Sequence, residues 1–122
     1  MSSIRNLVFD APIKVISEAN CRDHWAVKSR RRQKQQQDIT AMMMNALQGR
    51  KVELPCVVKL TRVGPKRLDD DNWANGAKGI RDAIARKLGV DDGDPRIKFE
   101  YEQTPIKERS YNVIVEIRST GE

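Results

Sequence analysis

The sequence predicts an α+β fold: a two-layer single domain whose mixed β-sheet is backed by two main helices, in the order β-α-β-α-β-β. Three observations lead there. Two stretches, 29–48 and 73–88, repeat apolar residues at three- and four-residue steps, the helical period. Three others, 52–63, 97–102 and 111–117, alternate apolar and polar residues, the strand period. Helical and strand stretches interleave before the last two strands follow one another, which suits a sheet with helices on one side. At 122 residues the chain supports one domain and one modest core.

Hydrophobic residues make up 39% and charged residues 33%, enough apolar material for a core beneath a heavily charged, water-facing surface. No apolar run approaches the about 20 residues that span a bilayer, and no segment pairs a cationic face with bulky aromatics, so no membrane partner is expected. The N-terminus lacks a continuous apolar signal region, which predicts a cytoplasmic location. Cys21 and Cys56 lie far apart without metal-ligand spacing and read as free thiols.

In chain order, Asn6 to Ser17 holds short β-branched runs broken by Pro12, a strand or two short strands near a sheet edge. Glu18 to Lys28 has no clear period. It contains Asn20, Arg22, His24 and Trp25, able to meet phosphates and bases; alternatively Trp25 plugs the core edge and His24 bonds its own loop. From Ser29 to Gln48 runs an amphipathic helix with Ile39, Met43, Ala46 and Leu47 on one face, Ser29 as cap and Gly49 as stop. Arg30, Arg31, Arg32 and Lys34 crowd its start, where positive charge opposes the helix dipole and an anion would relieve the cost. They are candidates for DNA phosphate contact.

Val52 to Val63 reads as a strand ended by Gly64-Pro65. Lys66 and Arg67, two further candidate DNA contacts, lead into Leu68-Asp69-Asp70-Asp71-Asn72. Then Trp73, Ala77, Ile80, Ile84 and Leu88 trace the clearest helical stripe, closed by Gly89. Gly76 weakens its first turn, so regular helix is expected from about Asn75. Ile97 to Glu102 and Tyr111 to Ile117 are strands with one wet face each.

Six of the seventeen acidic residues sit in two short segments, Asp69–Asp71 and Asp91, Asp92 and Asp94. Adjacent carboxylates repel, and a cation among them removes the cost. Magnesium takes oxygen ligands and is held by one or two carboxylates plus substrate phosphates, which suits so small an acidic set. Setting those six aside leaves eleven acidic residues against twenty-three basic ones, a surface that favours a polyanion. If extended, the 69–71 segment projects Asp69 and Asp71 to one side. Asp69, Asp71 and one of Asp91 or Asp92 are therefore candidate metal ligands and Lys78 a charge-offsetting partner, in phosphodiester hydrolysis. The competing reading makes the aspartates caps and turn residues, strongest for the Asp91-Asp92-Gly93-Asp94-Pro95 turn. No phosphate-cradling glycine loop, zinc spacing or serine-nucleophile motif is present.

The Leu68 to Asn72 segment after a strand, the helix with Lys78 to Ile84, and Gly89 to Asp92 before another strand resemble the RusA family of Holliday junction resolvases. The likeness covers roughly 57 to 97. It implies a homodimeric, magnesium-dependent endonuclease that nicks four-way DNA junctions symmetrically in recombination and repair, often encoded by phages and prophages. Manganese would serve in place of magnesium. It also implies that Asp69, Asp71 and Asp92 are the catalytic carboxylates and Lys78 the catalytic lysine. The family lysine lies closer to the second aspartate, where this chain has Asn75. The three extra residues amount to almost one helical turn.

Overall fold

The computed structural model describes residues 3–16, 22 and 24–121. Asn20 and Cys21 lie outside the described residues. The elements are β1 (Ser3–Ile4), β2 (Asn6–Ala11), α1 (Trp25–Leu47), β3 (Lys51–Val52), β4 (Cys56–Gly64), α2 (Asp70–Gly76), α3 (Lys78–Lys87), β5 (Ile97–Pro105) and β6 (Asn112–Ser119). The expected α+β architecture with a mixed sheet is present, with additions: the helix after the acidic segment is two helices, and β1 and β3 form a separate parallel pair.

The main sheet runs β2-β6-β4-β5, with β6 antiparallel to both neighbours and β4 parallel to β5. A parallel pair needs a long crossover, and α2 with α3 supplies it. One face of the sheet is dry. Cys56, Val58 and Leu60 of β4 and Val113, Val115 and Ile117 of β6 are buried against Ile39, Met43, Trp73, Ile80 and Ile84 of the helices. Each buried leucine or isoleucine contributes about 1.5–3 kcal/mol. The other face is wet, and Lys59 pairs there with Glu102 and Glu116 at 3.2 and 3.7 Å.

Two glycines set how closely the helices approach. A Cβ on Gly79 would lie 2.9 Å from the Arg32 carbonyl oxygen of α1, and one on Gly76 would lie 2.7 Å from the Ile16 carbonyl oxygen. Buried Gln35 of α1 donates to the Gly76 carbonyl at 3.3 Å. Gly76 is thus a packing contact at the end of α2, and the expectation of a helix beginning near Asn75 is corrected, since α2 begins at Asp70.

Three further corrections follow. Helix α1 starts at Trp25, and its N-cap is His24, whose Nδ1 accepts from the Ala26 amide at 3.2 Å; Ser29 lies inside the helix. Arg30 to Lys34 therefore sit beyond the first turn, where the dipole cost proposed for them has faded. The strand expected over 52–63 is divided by a cis Leu54–Pro55 peptide. The single helical stripe expected over 73–88 is broken at Ala77 (ψ 6°), between α2 and α3.

Candidate functional site

The acidic segment leaves the sheet at the carboxyl end of the parallel β4–β5 pair, the end where open sheets with parallel strands place their ligands. A polar network anchors it. Gln103 of β5 clamps the Leu68 backbone from both sides, its Oε1 accepting from Leu68 N at 2.8 Å and its Nε2 donating to Leu68 O at 2.7 Å. Beneath it Arg62, 5% exposed, donates to the carbonyls of Lys66 at 2.5 Å and Val15 at 3.4 Å and to Gln103 Oε1 at 3.5 Å. Burial lowers the Arg62 pKa, and among the described residues its hydrogen bonds go to neutral oxygens, with no carboxylate to cancel the guanidinium under the segment.

The three aspartates then separate. Asp70 faces Arg67 across 3.4 Å. Asp69 is the N-cap of α2 without a side-chain capping bond, Asp71 lies in the first turn, and both carboxylates are exposed. Because α2 begins at Asp70, the extended geometry expected for 69–71 is corrected; each helical residue turns the chain by about 100°.

The second acidic segment divides as well. Asp94 closes a turn, accepting from Arg96 N and Nε at 2.9 and 3.0 Å and from Nη2 at 2.9 Å, which holds its carboxyl down to about 2. Asp91 and Asp92 are exposed, and Asp92 Oδ2 lies 3.4 Å from Arg81 Nε. Arg81 also donates through Nη1 to Tyr101 OH at 2.7 Å and Ala74 O at 3.1 Å. Burial opposes the Arg81 charge, and the Tyr101 hydroxyl with the Asp92 carboxylate outweighs it, leaving its pKa raised. Tyr101 meets buried Trp73 edge to face, centroids 5.9 Å apart.

Tyr101 and Gln103 lie two apart on the inner face of β5, about 7 Å along the strand. One is tied to the segment ahead of Asp69 and the other, through Arg81, to Asp92. The fold thus ties both acidic segments to adjacent positions of one strand. Among the described residues, no group of three His, Cys, Asp or Glu side chains is close enough to hold a metal ion. As hard oxygen donors, Asp69 and Asp71 suit magnesium held mainly by water and substrate phosphate, while Asp92 is engaged by Arg81. Lys78 opens α3 with an exposed side chain, and Asn75 is exposed one turn earlier.

The basic candidates fall on different surfaces. Arg32, with Lys28, lines a crevice against Asn75, Gly76 and Gly79. Arg30, Arg31 and Lys34 line a groove of about 310 Å³ with Pro12, Ile13 and Lys14. Lys66 lines a larger groove of about 630 Å³ with Lys14, Lys107, Arg109 and Tyr111. Trp25 is 73% exposed beside His24, ring centroids 5.3 Å apart, so it does not plug the core. Sequence reasoning missed Arg62, Arg81, Tyr101 and Gln103. The signal for two of them was present: Arg62 and Gln103 fall in phase with the buried residues of β4 and β5, and a polar side chain at a core position needs partners.

No protein-family model matches the chain, and no curated protein matches it at a significant level.

Proposed function

We propose that this chain is a magnesium-dependent endonuclease that resolves four-way DNA junctions by paired phosphodiester hydrolysis, as its resemblance to the RusA family implies. The observation that supports this most is the shared anchoring of the two acidic segments on β5, through Gln103 and through the Arg81–Tyr101 pair. Nothing in core packing calls for Asp69 and Asp71 to stand exposed at a strand exit held by a buried arginine. In this reading Asp69, Asp71 and Asp92 would hold the cation together with water and the scissile phosphate, whose oxygens bridge what the carboxylates alone do not close, and Lys78 would offset charge on that phosphate. Magnesium, or manganese, held there would supply an acidified water and neutralise developing charge. Arg81 keeps Asp92 oriented, and Gln103 fixes the backbone from which Asp69 and Asp71 project. A homodimer presents two such sites to strands of like polarity.

A second reading, DNA binding without cleavage, is favoured by the Arg81–Asp92 ion pair, in which the arginine takes one of the carboxylate oxygens. One assay separates the two. Incubated with a synthetic four-way junction in magnesium, the protein yields symmetric nicks, and Asp71→Asn reduces the rate at least about a hundredfold, a scale set by the transition-state charge a carboxylate-held ion stabilises. Binding in calcium is retained. Absence of product in magnesium and manganese, with binding unaffected by either, sinks the nuclease reading in favour of the second. No described helix is long and apolar enough to cross a membrane, and action on cytoplasmic DNA belongs to the same proposal.

A further inference from the structure

We infer that a continuous cationic track, separate from the acidic segments, carries the sugar-phosphate backbone of a DNA arm toward Asp69. Lys14 is its joint. It lines both the groove with Arg30, Arg31 and Lys34 and the larger groove with Lys66, Lys107 and Arg109. Its Nζ rests 4.6 Å from the centre of the Tyr111 ring, a cation–π contact that keeps the ammonium at the junction of the two.

Among the described residues, the only carboxylate lining either groove, Asp38, is engaged by Lys34 at 3.4 Å. Among the described residues no ion pair neutralises Lys14, Lys66, Lys107 or Arg109. Arg62 adds a buried charge beside Gly64, which also approaches Tyr111 of the larger groove. One small anion reaches only a few of these cations. A duplex, with one charge per about 1.7 Å of axis, meets them in succession. The track ends at Lys66, three residues before Asp69, so a backbone that follows it arrives at the acidic segment. That last step rests on the nuclease reading; the track itself does not.

The test is the salt dependence of junction binding, measured in calcium so that cleavage plays no part. With Lys14, Lys107 and Arg109 all changed to Gln, the slope of log Kd against log salt becomes shallower by about 2 to 3, and each single change removes about 1. Lys98→Gln, on the wet face of β5, leaves the slope unchanged. A wild-type slope in the single variants, each folded by circular dichroism, overturns the track and leaves the nuclease reading standing if the protein still cuts. Equal displacement of the junction by inorganic phosphate at fixed ionic strength marks a small-anion pocket and overturns it too. A reduced slope in a protein that never cuts supports the track and rejects the nuclease.

Discussion

Asp94 accepts three hydrogen bonds from Arg96, and its carboxyl is held near 2, whereas Asp69 and Asp71 of the same residue type stand exposed. Depression below the ordinary carboxylate value of 3.8 means that the charged form is favoured by folding. That stability is fully present above about pH 4 and is lost as pH falls through about 2. Asp94→Asn therefore lowers the melting temperature at neutral pH, and the gap from wild type closes as thermal scans move toward pH 2. Gln103 is the other decisive residue. Gln103→Ala leaves the Leu68 N–H and C=O without their partner, a loss of about 1–3 kcal/mol. Amide exchange at 66–69 rises, and under the nuclease reading kcat falls while binding in calcium changes little. Both residues are legible in part: Asp94-Pro95 is turn chemistry, and Gln103 keeps the phase of an otherwise apolar strand face.

The helices carry their own constraint. Alanine is intrinsically better than glycine inside a helix by about 1 kcal/mol. At Gly79 the added methyl meets the Arg32 backbone at 2.9 Å and the Gln35 side chain at the same distance, so α1 and α3 must move apart. Gly79→Ala is expected to destabilise the protein by about 1–3 kcal/mol despite its propensity, read as a lower urea midpoint. Sequence periodicity identified the stripe Trp73, Ala77, Ile80, Ile84 and Leu88; the first four are buried and Leu88 packs half-buried against the core. It missed the break at Ala77, because an apolar stripe survives a one-residue irregularity. It read Gly76 as a local weakness, because close approach of a neighbouring chain leaves no mark in local sequence.

For the whole molecule, the proposal of paired incision makes a prediction about copies of the chain. Under that proposal, wild-type protein is expected to convert a cruciform plasmid mainly to the linear form. Dimers mixed with excess Asp71→Asn subunits yield nicked circles, because one active site cuts one strand; linear product at undiminished yield would show each subunit acting alone.

By itself the sequence determined the fold class, the two helical stripes, the strand phases and the two acidic segments, because periodicity and turn chemistry are local properties. Tertiary structure decided what those segments are attached to. Gln103 reaches Leu68 across 35 positions and Arg81 reaches Tyr101 across 20. It also divided the basic residues among three surfaces and joined two of them at Lys14. Such long-range contacts arise only when a parallel strand pair and its crossover pack on one another, and no local pattern records which side chains then meet.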